Sequence, residues 1–126
     1  MLGHLTHVTV YVNDQDAARD FYRDRLGFGV TDDAEFGPGM RWLAVLPPGG
    51  QTNLVLFKAG PGPMGEKSAG GFSGMVLHTH DIDALHADLT AKGVKITQGM
   101  RDLPWGRDLS FEDPDGNGFN VVQPKG

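Results

Sequence analysis

The sequence contains no cysteine. Disulfides, thiolate metal sites and cysteine nucleophiles are therefore excluded, and the redox compartment stays open. It also lacks a long apolar run: nothing approaches the roughly 18 consecutive apolar residues that a membrane span requires. Cations are scarce. Eleven lysines and arginines face 16 aspartates and glutamates, a formal net charge of −5, so phosphate backbones are repelled on balance and no basic patch offsets this. Neither nucleic acid nor a membrane is expected as a partner. Met1-Leu2-Gly3-His4 has neither the basic nor the apolar region of a signal peptide, which makes a cytoplasmic location the expectation.

Hydrophobic residues, at 39% of 126, suffice for one ordinary core, and a single domain over 1–126 is expected. Glycine is abundant, at 19, and there are eight prolines. Many cluster in Ala59-Gly60-Pro61-Gly62-Pro63-Met64-Gly65 and Ala69-Gly70-Gly71, a stretch that reads as a linker or mobile loop.

The most informative feature is an internal repeat, sought before any motif. Each half opens on an alternating strand, His7-Val8-Thr9-Val10-Tyr11-Val12 or Gly74-Met75-Val76-Leu77-His78-Thr79. Each strand runs into an acidic pair, Asp14/Asp16 or Asp81/Asp83, whose first member suits a helix N-cap. Apolar residues at helical spacing follow: Ala18, Phe21, Tyr22 and Leu26 in one half, Ile82, Leu85 and Leu89 in the other. Gly27 and Gly93 then stop the helices. Three further strands complete each half, with the turns Pro47-Pro48-Gly49-Gly50 and Asp113-Pro114-Asp115-Gly116 at matching places.

These elements predict an α+β fold of two βαβββ repeats forming a curved mixed sheet around a cup. Repeat 1 covers about 4–58, the linker about 59–72 and repeat 2 about 73–124. Alternation sends Val8, Val10, Val12, Met75 and Leu77 against helix. His7, Thr9, Tyr11, Trp42, Ala44, Gly74, Val76, His78, Asp108 and Ser110 then face the cup, where a ligand would sit.

The order of these elements resembles the vicinal oxygen chelate superfamily, which includes glyoxalase I, extradiol dioxygenases, fosfomycin resistance enzymes and bleomycin resistance proteins. The resemblance rests on His7–Val12, Phe21-Tyr22 through Leu26-Gly27-Phe28, Asp81-Ile82-Asp83, Gly93-Val94 and Phe111-Glu112-Asp113-Pro114-Asp115-Gly116-Asn117. It implies the glyoxalase/bleomycin resistance/dioxygenase fold and a homodimer. It also implies, for the enzymes of the group, one divalent metal held by side chains of the first, fourth, fifth and eighth strands, acting as a Lewis acid. Of those positions only His7 carries a fitting ligand. The others fall on Leu54 or Val55, on Gly74 and on Asn120, an uncharged amide. His78, roughly 13 Å along the strand from Gly74 at about 3.3 Å per residue, is too far to replace it.

The expected function is therefore binding of a small organic ligand in the cup, without a tightly bound metal. The residues expected to line it are His7, Thr9, Tyr11, Trp42, His78 and Asn120, and His7 is also the one metal-ligand candidate. The alternative is an enzyme: a divalent-metal lyase or dioxygenase with a non-standard ligand set, or a metal-free isomerase using His7 or His78 as base. Other residues read as structural. Arg41 and Arg107, at equivalent places, suggest salt bridges. Trp105 suggests packing at a sheet edge. His80, His4 and His86 suggest surface positions, and Asp113–Asn117 lacks the later acidic positions of a calcium loop.

Overall fold

The computed structural model describes residues 1–63 and 65–126. Its elements are β1 (His7–Val12), α1 (Gln15–Asp20), β2 (Gly29–Gly37), β3 (Met40–Leu46), β4 (Asn53–Lys58), β5 (Gly71–His78), α2 (Ile82–Ala91), β6 (Lys95–Leu103), β7 (Gly106–Glu112) and β8 (Asn117–Pro124). The two βαβββ repeats are present. Each forms its own four-stranded mixed sheet, in the order β1-β4-β3-β2 and β5-β8-β7-β6. The chain divides into two compact units, Met1–Ala69 and Gly70–Gly126. Among the described residues no helix is long and apolar enough to cross a membrane.

Local chemistry explains the helices. Asp14 accepts from the Ala17 amide and Asp81 from the Ala84 amide, each at 3.0 Å, so the first helical turns are capped as the acidic pairs predicted. Gly27 and Gly93 follow the helices with φ of 75° and 71°, where a Cβ would be strained. After α1 the chain widens into a π-helical turn, Phe21–Arg25, that buries both Phe21 and Tyr22. Neither the wide turn nor its two adjacent inward rings follow from a regular helical period.

In the first unit the helix-side face of the sheet joins Val10, Val12, Leu43, Val45, Leu54 and Leu56, all buried, with Ala18, Phe21 and Tyr22. Gln15 ties α1 down by donating to the Arg41 and Leu56 carbonyls at 3.1 and 2.9 Å. In the second unit Leu109, Phe111, Phe119 and Val121 are buried with Ile82, Leu89 and Val94. Phe111 and Phe119 stack at 5.5 Å. Gln123 closes the helix start there, accepting from the Ile82 amide at 2.8 Å.

Gly106, which pairs with both Leu103 and Pro124, sits where a Cβ would collide with the Gln123 carbonyl oxygen. Gly106→Ala is expected to lower the unfolding free energy by roughly 1–3 kcal/mol. Gly99→Ala, where a Cβ meets nothing within 4 Å, should change it by less than about 0.5 kcal/mol. Urea denaturation of the two variants checks this.

Candidate functional site

Alternation along β1 turns His7, Thr9 and Tyr11 away from the buried Val10 and Val12. The parallel register with β4 sets Asn53, Val55 and Phe57 beside them in the same order. Ala44 of β3 lies opposite Val55, and Trp42, two residues along, reaches Phe57 with ring centres 6.5 Å apart and planes at 78°. Phe36 of β2 meets both Trp42 and Phe57, at 6.4 and 6.3 Å. Tyr11 meets Phe57 edge-on at 6.3 Å, and His7 tilts against Trp42 at 5.8 Å. These spacings and angles suit the electrostatics of aromatic pairs. The face opposite the helix is thus an aromatic surface on which Phe36 remains 52% exposed.

A cavity of about 290 Å³ opens on this surface. Thr9, Tyr11, Trp42 and Phe57 line one side, and Lys58, Gly60, Gly62, Pro63, Gly65 and Lys67 line the other. The second group comes from the glycine- and proline-rich segment expected to be a linker. Its first part instead folds back on the sheet. Gly60 and Lys67 exchange backbone hydrogen bonds of 2.7 and 3.0 Å, and the Gly65 amide donates to the Gly62 carbonyl at 3.0 Å. The volume lies just below the usual range of ligand sites, about 300–1,000 Å³. Thr9, Tyr11 and Trp42 thus line one cavity. His7 stands beside the cavity, against Trp42, and is not among its described lining residues.

The second unit builds the corresponding face from different chemistry. Val76 and His78 pair with Asn120 and Val122 of β8, and Ser110 and Asp108 of β7 pair with the same two residues. Where the first unit has Trp42, this one has Asp108, which points away from the helix side as expected and is nevertheless buried, at 2% exposure. Arg101 donates to both carboxylate oxygens, at 2.9 and 3.1 Å, and Gln98 and Asn120 add bonds of 3.2 and 3.0 Å. The Arg101 guanidinium, helped by those amides, outweighs burial and holds the Asp108 carboxyl down to about 2. Asn120 also donates to the Leu109 carbonyl and the Ser110 hydroxyl, so its amide hydrogens are engaged within the sheet. His78 is exposed on this face, with its ring 4.6 Å from that of His80.

The residues at the metal-ligand positions do not fit a divalent cation. His7 Nδ1 lies 3.0 Å from the Thr6 hydroxyl, and its strand neighbour is Asn53 rather than a carboxylate or imidazole. Leu54 and Val55 are buried and apolar. Gly74 lies in a β5 irregularity that lets Phe72 and Val76 pair with Gly118 and Asn120, so the strand is not the regular one expected there. Among the described residues, no three histidine, aspartate or glutamate side chains are grouped to hold a metal.

Several structural readings are met. Arg41 bridges Asp16 and Asp33 at 2.7 and 2.8 Å. Arg107 repeats the arrangement with Asp83 at 2.9 Å and Asp102 at 3.5 Å. Asp113 closes its own turn by accepting from the Asp115 and Asn117 amides, both at 2.9 Å. Trp105 departs from expectation: it is 62% exposed rather than packed at a sheet edge. Phe57 and Phe36 were not among the sequence candidates. Phe57 follows once Tyr11 is given its parallel partner, whereas the wall of Lys58 and Lys67 carries no periodic signal.

The family model described as "Glyoxalase/Bleomycin resistance protein/Dioxygenase superfamily" matches residues 4–121. A crystal structure of a member of that superfamily from Sphaerobacter thermophilus aligns with a TM-score of 0.90 at 38% identity, covering 97% of this chain and 98% of that one. TnmS3, an antibiotic binding protein from a Streptomyces species, aligns with a TM-score of 0.84, also at 38% identity and covering 98% of each chain. An uncharacterized protein of Bacillus subtilis, YetH, is 32% identical over 119 residues, 94% of this chain and 97% of its own.

Asp108 provides the test of the second face. Its carboxyl is lower in the fold than its ordinary value of 3.8, so its contribution is complete above that value and is lost as pH falls towards about 2. Asp108→Asn, which sets amide hydrogens against three donors, should cost roughly 1–3 kcal/mol at pH 7. It should also remove part of the wild-type loss of stability between pH 4 and 2. Chemical denaturation across that range measures both.

Proposed function

Because the chain belongs to the glyoxalase/bleomycin resistance protein/dioxygenase superfamily, we propose that it binds a small planar organic ligand in the cavity of its first unit, without a resident metal. The observation carrying this reading is the cavity itself, an opening of about 290 Å³ whose sheet side is Thr9, Tyr11, Trp42 and Phe57. Aromatic side chains give large, stiff contact surfaces with little rotamer entropy to lose, and the Thr9 hydroxyl supplies one polar contact. TnmS3, described as antibiotic binding, offers a precedent for ligand binding in a related chain. The poor fit of His7, Gly74, Leu54, Val55 and Asn120 to a cation supports binding over metal chemistry. Exposed Phe72 and Val76 on the edge strand β5 support the homodimer expected from the sequence, which light scattering on the purified protein would test.

The reading predicts that a bicyclic arene shifts the Trp42 indole N–H resonance, identified in a Trp105→Phe background, and leaves the exposed Trp105 resonance of the wild type in place. Trp42→Ala and Phe57→Ala should each weaken binding by about tenfold or more, since stacking adds roughly 0.5–1.5 kcal/mol to the apolar burial lost. Elemental analysis of protein purified without chelators should find far less than one divalent metal per chain, unchanged by His7→Ala. No response to any arene, or stoichiometric metal that disappears with His7, would overturn the proposal.

A further inference from the structure

Charge distribution around the cavity narrows the ligand class. The chain has few cations, and most are already neutralised. Arg19, Arg23, Arg41, Arg101, Arg107, Lys92 and Lys95 each lie within 4.0 Å of a carboxylate oxygen. Lys58, Lys67 and Lys125 carry no ion pair among the described residues, and two of these three line the aromatic cavity. Lys67 is half-buried and fixed there through its backbone, which exchanges hydrogen bonds with Gly60 at the far end of the wall. Lys58 ends β4 directly after Phe57 and borders the same cavity at the strand's end. Among the described residues, no carboxylate lines the cavity. Glu66, next to Lys67, is exposed and forms no ion pair among the described residues.

In a chain of net charge −5, two lysines that line an aromatic cavity and carry no ion pair among the described residues are a recognition feature. The contrast with the second unit is direct: there the corresponding face carries a carboxylate, and Arg101 closes it. Resting on the binding reading above, we propose that the cavity selects aromatic anions. The arene would lie against Trp42 and Phe57, with its carboxylate or phenolate turned to Lys58 and Lys67. A charge-assisted hydrogen bond to an ammonium is the strongest polar contact these walls offer.

Two probes of one shape separate the two levels of the argument, 2-naphthoate and the neutral 2-naphthamide. Titrations of the full chain, followed at the Trp42 indole resonance, should show naphthoate binding about five- to tenfold more tightly. That preference should shrink as sodium chloride is raised. Lys58→Gln/Lys67→Gln should bring the two affinities within about twofold of each other, chiefly by weakening naphthoate, and Lys67→Arg should keep most of the preference. Circular dichroism confirms that the variants fold. Should the double variant fail to fold, the single Lys58→Gln and Lys67→Gln variants and the wild-type salt series carry the test. Equal binding of the two probes, or a preference that survives both loss of the lysines and high salt, overturns the anion proposal alone. Failure of both probes to move Trp42 overturns the binding reading with it.

Discussion

Everything else in each unit depends on the parallel pairing of its first strand with its last. β1 runs beside β4 in register from His7–Asn53 to Val12–Lys58, and β5 runs beside β8. A parallel pair cannot be closed by a tight turn, so the helix and two further strands lie in the connection. The helix then packs on one face and the opposite face stays open. Because side chains alternate along strands, the register decides which residues reach that face together. It sets Thr9 by Val55 and Tyr11 by Phe57 in one unit, and Val76 by Asn120 and His78 by Val122 in the other.

Equivalent faces have taken different physical forms. In the first unit Trp42, Phe57, Tyr11 and Phe36 satisfy one another only partly, and the remaining ring surface borders a cavity. In the second, Asp108, Arg101, Gln98, Asn120 and Ser110 form a closed network in which the buried carboxylate meets donors from two strands, β6 and β8. A buried charge is tolerable only when its hydrogen bonds are made, and this one has them. The second face spends its polar groups on its own sheet, whereas the first retains surface for something else.

The helices, their aspartate caps, the glycine stops and the two repeats were legible in the sequence because each follows from local chemistry at fixed spacing. Strand alternation also puts Thr9, Tyr11 and Trp42 on one face. Three features were not legible, for separate reasons. The π-helical turn at Phe21–Arg25 breaks the helical period on which the reading depends. The β5 irregularity around Gly74 changes the pairing count without leaving an apolar signature. The folding back of Gly60–Lys67 comes from backbone bonds that glycine- and proline-rich composition permits but does not specify. Composition distinguishes loop from element; it does not say what the loop lies against.

His7 places an imidazole at a metal-ligand position on a face that carries rings and methyl groups. A metal site needs several donors converging on a point, each desolvated and oriented by neighbours. Stacking needs broad apolar surface with few polar groups between the rings. One sheet face does not serve both at the same place, because Val55, fully buried beside Thr9 in the register, supplies a methyl surface where a metal would require a donor. Beside that neighbour the imidazole of His7 lies 5.8 Å from the Trp42 ring, and among the described residues no three histidine, aspartate or glutamate side chains are grouped to hold a cation. The pairing that could gather ligands around a metal here gathers rings around a cavity, and the chemistry of the face follows from Val55, Trp42 and Phe57 more than from the histidine that remains.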